Sequence, residues 1–359
     1  MKVSFRFYLL TLVGSLILSC LSCYKIKEPP PLIPQVEQVE TGEKKSHCPT
    51  NEEEFLSIFS RVEAENIVHK AQLTAPHYPA SNERRIDLFY PYVKNLGGGY
   101  IGVGTDQNFT FIAWARSDYA YLVDFDWMAV YVNRLHILFF QESPSFLEFR
   151  KFWTRAHKNQ TLNLIKNKIP DPKEQETYVK AYHYAQPHVN ERLSDLFFMT
   201  KNFGFSSFHN QQSDFDYIKS LIEKKRIHPM LGDINGTKTL KSIGEASKSL
   251  CIPIRILYLS NAEEYYRYPQ TFRENVKSLF FDEQSIILRT VTTGAKTLSF
   301  PDGEKYSEIP FHYNIQKIQN LVEWFQQEKL WIFTMLKYRK NLQKGFSILE
   351  TYPYTSHSR

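Results

Sequence analysis

The sequence is poor in cysteine and glycine, and it contains no long basic run. Its 359 residues include only 4 Cys and 14 Gly, against 27 Phe and 22 Tyr, and 42% of them are hydrophobic. Such a composition excludes a low-complexity or disordered chain over most of the length. The formal net charge is +6, or +4 without Lys2 and Arg6 (6 − 2). Because basic and aromatic residues do not alternate along the chain, we expect no nucleic-acid partner.

The N-terminus carries a leader. Two basic residues precede an apolar run from Phe7 to Leu18, and a small residue then precedes each of two cysteines. This pattern predicts a secretory signal peptide over residues 1–23, whose apolar core is short for a membrane span. A Cys after a small residue resembles a bacterial lipobox of the spirochaetal type. That resemblance implies an acyl anchor, such as palmitate, on Cys20 or Cys23; an ordinary cleaved signal and a single transmembrane anchor are the alternatives.

The other two cysteines do not make a disulfide framework or a metal site. Cys48 lies in a polar segment, and Cys251 precedes an apolar strand. An oxidising envelope would allow them to pair, but we favour a free Cys48 and an inert, buried Cys251. Outside the leader no CxxC pair or His cluster has the spacing of zinc ligands, so no metal is predicted.

The chain divides into a tether and one folded domain. Residues 24–51 are rich in proline and charge, which predicts an extended tether. Residues 52–359 form the domain, with a mainly helical insertion at about 143–212. Apolar spacing predicts helices at Glu52–Gln72, Glu83–Leu96, Trp127–Gln141, Phe215–Lys225, Thr237–Leu250, Phe272–Leu279 and Tyr313–Gln327. It predicts strands at Tyr100–Val103, Tyr119–Val123, Ile227–Leu231, Ile252–Leu259, Ser285–Val291, Leu330–Leu336 and Phe346–Thr351.

Strands that alternate with helices predict an α/β fold. We expect a mostly parallel, Rossmann-like sheet with helices on both faces, closed at the C-terminus by an antiparallel strand pair. In such sheets a ligand binds at the carboxyl ends of the strands, beside a glycine-rich turn.

The first strand ends in a glycine turn that predicts a small-molecule site. Gly102 and Gly104 would let a ligand approach the backbone, and Asp124 or Asp126 at the end of the second strand would accept from ribose hydroxyls. Asp106 in the turn would repel a pyrophosphate. The turn therefore suits S-adenosylmethionine, which has an ammonium and a sulfonium group, better than a dinucleotide; a purely structural turn is the alternative.

Later strand ends supply further candidates. Asp233 could accept from an adenine amino group or could form a turn. Asn261 could orient a nucleophile or cap a helix, and His312 could act as a general base or pack in the core. Arg289 lies in a predicted buried strand and requires a partner, for which an acidic residue is the default.

The order of these elements resembles the Rossmann-like class of S-adenosylmethionine-dependent methyltransferases. The resemblance covers Glu83–Asp126 and Phe215–Thr351. It implies that the cofactor-binding residues are Gly102, Gly104, Asp106, Asp124, Asp126 and Asp233, and that the acceptor site contains Asn261 and His312. The acid that leads the glycine turn in that class and its third glycine are both missing here. The chain is similar to spirochaetal lipoproteins with a degenerate form of this domain.

Three functional hypotheses follow. The first is an envelope lipoprotein, in the outer membrane or on its surface or periplasmic face, that acts as a binding protein with catalysis lost or altered. The second is an active S-adenosylmethionine-dependent methyltransferase of unknown acceptor. The third is an adhesin or host-interaction module. The expected partners are the lipid bilayer, an adenosyl ligand and a protein.

Overall fold

A computed structural model of the chain describes residues 48–67, 77–295 and 298–351. These residues belong to one compact unit. The predicted signal peptide with Cys20 and Cys23, and most of the predicted tether, lie outside the described residues. Among the helices of the described residues, none is both long and apolar enough to cross a membrane.

The described residues contain one eight-stranded sheet in the order β3-β2-β1-β4-β5-β6-β8-β7. Its strands are β1 (Gly99–Gly102), β2 (Tyr119–Asp124), β3 (Ile227–Leu231), β4 (Ile254–Ser260), β5 (Ile286–Thr292), β6 (Phe311–Lys317), β7 (Lys340–Gln343) and β8 (Phe346–Leu349). The first five strands are parallel, β6 runs antiparallel to β5, and β7 and β8 form an antiparallel pair. The order 3-2-1-4-5 is that of a doubly wound α/β fold. The prediction of a mostly parallel sheet with a closing antiparallel pair is confirmed.

Helices cover both faces of the sheet. They are α1 (Glu52–Phe59), α2 (Tyr90–Val93), α3 (Gln107–Ala115), α4 (Trp127–Gln141), α5 (Phe146–Phe152), α6 (Lys158–Lys168), α7 (Pro172–Phe203), α8 (Gln212–Glu223), α9 (Thr239–Leu250), α10 (Gln270–Ser278), α11 (Ile318–Trp324) and α12 (Ile332–Met335). Helices α2 to α8 pack into the core on one face, which we call the first core. Helices α1 and α9 to α12 pack into the core on the other face, the second core.

The insertion is helical, as predicted, and it is part of the first core. Its longest helix, α7, begins at Pro172 after the N-cap Asp171, whose side chain accepts from the Glu174 amide. It ends at Gly204, whose φ of +67° gives the left-handed cap that glycine adopts without strain. One side of α7, including Tyr182, is completely buried. The insertion is therefore not a detachable lid.

Three predicted helices are longer than the observed ones, and one predicted strand is wrong. The first helix ends at Phe59, and no helix follows in residues 60–67. Pro91 limits the second to the four-residue α2, after a single 3-10 turn. Residues 313–317 belong to strand β6 rather than to a helix. Polar and apolar residues alternate along β6, which is the period of a strand, and the helix prediction did not take this alternation into account. Residues 332–335 are helical, so the antiparallel partner of β8 is β7.

Cys48 and Cys251 form a disulfide across 203 residues of sequence. Our expectation of a free Cys48 and an unpaired Cys251 is therefore wrong. Cys251 caps the end of α9 in the left-handed conformation, just before β4. The bond attaches the start of the described chain to the end of α9, on the side of the second core.

Candidate functional site

The candidate site lies where the order of the sheet reverses. Strand β1 is the central strand at this point, with β2 on one side and β4 on the other. The chain leaves β1 and β4 in opposite directions, so their carboxyl ends border the crevice in which doubly wound folds bind ligands. The turn after β1 contains Gly104, with a φ of +81°, and leads into α3.

Side chains of the protein itself form hydrogen bonds with the amide and the carbonyl of Gly104 in this turn. The Gly104 amide donates to Asp124 Oδ2 at 2.9 Å, and its carbonyl accepts from Asn133 Nδ2 at 2.8 Å. A Cβ atom at Gly102 would lie 2.2 Å from Asn108 Oδ1, so the space above this glycine is already filled. The two glycines allow close approach, as predicted, but the groups that approach belong to the protein.

Asp106 is neutralised from within the molecule. Its Oδ2 accepts from Arg192 Nε at 2.8 Å, and its Oδ1 accepts from the Ser81 amide at 2.7 Å. The side chains of Asp106 and Arg192 are only 3% and 2% exposed. Arg192 extends from α7, so the insertion places a cation where the sequence predicts the ammonium of an adenosyl ligand.

The two acids after β2 also have internal partners. Asp124 Oδ1 accepts from the Asp126 amide at 2.9 Å, in addition to its bond with Gly104. Burial raises the pKa of the Asp124 carboxyl to about 6, against the lowering effect of the backbone amides that donate to it. Asp126 caps α4 through the Met128 amide and lies 2.9 Å from His77 Nδ1. Both predicted ribose acids therefore hold the turn and the helix.

A buried carboxylate that we did not predict completes the network. Glu83 accepts from Tyr258 at 2.7 Å, from Ser260 at 2.6 Å and from Thr290 at 2.8 Å. Burial raises the pKa of the Glu83 carboxyl, although these three hydroxyls act to lower it. Glu83 thus ties the segment before α2 to the ends of β4 and β5. In the sequence it looks like an ordinary surface position of an amphipathic helix, and no local signal marks it.

The remaining candidates lie just after the third and fourth strands. Asp233 Oδ1 accepts from the Asn235 amide at 2.8 Å and so stabilises the turn after β3. Asn261 precedes a single 3-10 turn, and its side chain makes no capping bond there. Of the two roles predicted for Asn261, the helix cap is therefore wrong.

His312 is a core residue. Its Nδ1 donates to the Glu304 carbonyl at 3.1 Å, and its Nε2 accepts from Ser347 Oγ at 2.7 Å. Its ring stacks on Phe300 of the second core. Arg192, which pairs with Asp106 of the glycine turn, instead contacts Met199 of the first core through Nη1. Burial lowers the pKa of His312 to about 4, so the imidazole is neutral near pH 7. A neutral ring with both nitrogens engaged is not placed to act as a general base at the turn.

Arg289 has the acidic partner that we expected. Its Nε donates to Glu263, and both side chains are almost completely buried. Its Nη1 donates to Gln316 Oε1 at 2.7 Å, so β6 supplies a further acceptor. The pair belongs to the second core and connects the end of β4 to β5 and β6. Within the described ranges, no group of three or more His, Cys, Asp or Glu residues is placed to hold a metal ion.

The fold and this site define a doubly wound α/β protein whose glycine turn is closed by its own side chains. Residues 78–350 match the family described as "Domain of unknown function (DUF7790)". The match covers more than half of the 359 residues, and the chain therefore belongs to this family. No curated protein matches the chain.

Proposed function

We propose that this protein is an exported, lipid-anchored binding protein whose Rossmann-like domain no longer binds S-adenosylmethionine. The observation that carries this proposal is the closed glycine turn. Asp124 occupies the Gly104 amide, and the buried pair of Asp106 and Arg192 lies beside it. The domain then serves as a rigid body that presents binding surfaces at the envelope.

Ligand entry would have a large free-energy cost. An adenosyl ligand would have to take the Gly104 amide from Asp124 and separate Asp106 from Arg192. Breaking a buried ion pair costs about 3–5 kcal/mol when one charge loses its partner. This cost alone would weaken an adenosyl complex by roughly a hundredfold or more. It supports a binding role elsewhere on the molecule over the alternative of an active methyltransferase.

The disulfide supports export. Disulfides persist in oxidising compartments and are rare where thiols are kept reduced. Cys48 and Cys251 are paired, and Cys48 lies near the end of the predicted tether. A leader that ends in Cys20 and Cys23 would deliver the chain to such a compartment and attach it to a bilayer.

Calorimetry with S-adenosylmethionine and S-adenosylhomocysteine tests the loss of cofactor binding. We expect no saturable heat at millimolar ligand from the chain that spans residues 24–359, because Asp124 already holds the Gly104 amide and Arg192 already neutralises Asp106. A melting curve of the same sample would establish that it is folded. Saturable binding that disappears in Asp124→Ala but persists in Asp302→Ala, an exposed acid, would contradict the proposal.

Metabolic labelling with an alkyne fatty acid tests the anchor. We expect the full-length chain to incorporate the label, and one of Cys20→Ser and Cys23→Ser to abolish both labelling and cleavage of the leader. The other single variant serves as the matched control. Unchanged labelling and processing in the double variant would refute the lipid anchor.

A further inference from the structure

One stretch of the insertion combines several cations with no acidic residue. Between positions 149 and 170 the sequence contains no Asp or Glu. It contains six basic residues in the last turn of α5, the following 3-10 turn and α6, which are Arg150, Lys151, Arg155, Lys158, Lys166 and Lys168. We call these six side chains the basic face. The mature chain has a net charge of only about +4, so this local excess is not a consequence of a strongly basic protein.

Four of the six side chains of the basic face have no acidic partner in the described part of the chain. Lys151 pairs with Glu148 at 2.6 Å and Lys168 with Glu142 at 2.7 Å. The other four, which are Arg150, Arg155, Lys158 and Lys166, make no ion pair with any described residue. Of these, Arg155 and Lys166 are exposed and Lys158 is half-buried. Their charges are therefore available to a partner.

Exposed apolar side chains border the basic face. Leu147, in the first turn of α5, is 64% exposed, and Phe197 of α7 is 40% exposed. Arg150 connects these apolar groups to the basic face, because its guanidinium lies 5.3 Å from the Phe197 ring centre and donates to Ser194 Oγ at 3.0 Å. A mixture of cations with exposed leucine and phenylalanine is typical of surfaces that lie on a bilayer. There the cationic side chains extend to the headgroups and the apolar side chains enter the lipid.

We propose that the basic face and its apolar border, Leu147 and Phe197, dock the domain onto an anionic lipid bilayer. The proposal rests on the lipid anchor of the proposed function, which keeps the domain near the membrane. Cys23 and Cys48 are separated by 25 residues (48 − 23), which span at most about 80–90 Å when extended. A domain of this size has a radius of gyration of about 20 Å. The tether is therefore long enough for any face of the domain to reach the bilayer, and we expect the face with the largest excess of positive charge to bind it.

Co-sedimentation with lipid vesicles tests this docking surface. The chain that spans residues 24–359 carries no lipid and keeps the whole folded unit. We expect it to bind vesicles that contain phosphatidylglycerol, and to bind vesicles of pure phosphatidylcholine far more weakly. Added salt should release it, because surface charges are screened beyond about 10 Å at 0.1 M ionic strength.

Charge reversal locates the surface. Each Lys or Arg near an anionic bilayer contributes roughly fivefold to partition, so reversing Arg155, Lys158 and Lys166 to Glu should weaken binding at least about a hundredfold. The matched control reverses Lys248, Lys277 and Lys337, three exposed residues on the side of the second core. We expect a loss of less than about tenfold from the control. Leu147→Ala should lower the binding that remains at high salt.

Three results would overturn the assignment. The first is equal binding to charged and uncharged vesicles, or no binding to either. The second is an equal loss in both triple variants while both still melt as wild type does. The third is binding of a single-stranded oligonucleotide as tight as that of vesicles. Because the test chain has no lipid, none of these results bears on the labelling experiment or on the calorimetry with S-adenosylmethionine.

Discussion

Replacing Arg192 by alanine is expected to lower the free energy of unfolding by about 3–5 kcal/mol. The substitution leaves the Asp106 carboxylate buried without its cation, and the side chain of Asp106 is only 3% exposed. It also removes the contact of the guanidinium with Met199 in the first core. Chemical denaturation of the wild-type and variant chains measures the change.

Two controls separate the buried charge from a general defect in α7. Arg84→Ala breaks the pair with Asp195, in which Arg84 is 48% exposed, and should cost at most about 1 kcal/mol. The double variant Asp106→Asn, Arg192→Met removes both charges and should lose less than Arg192→Ala alone. An Arg192→Ala loss as small as that of Arg84→Ala would show that the buried pair does not hold the turn closed.

Reducing the disulfide is expected to lower the free energy of unfolding by about 2–4 kcal/mol. The bond closes 203 residues of sequence, so it removes many conformations from the unfolded chain. Denaturation of the chain that spans residues 24–359, with and without reductant, measures this effect. Thiol titration should find no free thiol before reduction and two afterwards.

Variants of the two cysteines provide the control. Cys48→Ser and Cys251→Ser should each cost about as much as reduction, and the double variant should cost no more than either single one, because all three remove the same bond. Reductant should then have no further effect on any of them. Two free thiols in protein isolated without reductant would contradict both the disulfide and the argument for export.

The strand-helix alternation was predictable because it is a local pattern. Ile227–Leu231 and Trp127–Gln141 have the predicted bounds, since each is a run of apolar residues between clear breakers. Parallel strands buried on both faces consist of continuous apolar residues, so their sequence signal is strong. The position of the glycine turn after the first strand followed from the same pattern.

The closure of the turn was not predictable, because its partners are distant in sequence. Arg192 lies 86 residues from Asp106, and Thr290 lies 207 residues from Glu83. Nothing local distinguishes Arg192 from the other basic residues of a polar helix. Strand β6 is different, because the alternation of its residues is a local strand signal; only the burial of its polar residues, such as Gln316, depends on partners on other strands.

Amide hydrogen exchange at Gly104 tests the central claim most directly. If Asp124 holds the Gly104 amide, that amide exchanges slowly in the free protein, and millimolar S-adenosylmethionine leaves its rate unchanged. Asp124→Ala should speed the exchange, whereas Asp302→Ala should not. Fast exchange at Gly104 in the free protein, slowed by S-adenosylmethionine, would show an open turn that binds the ligand and would contradict this account.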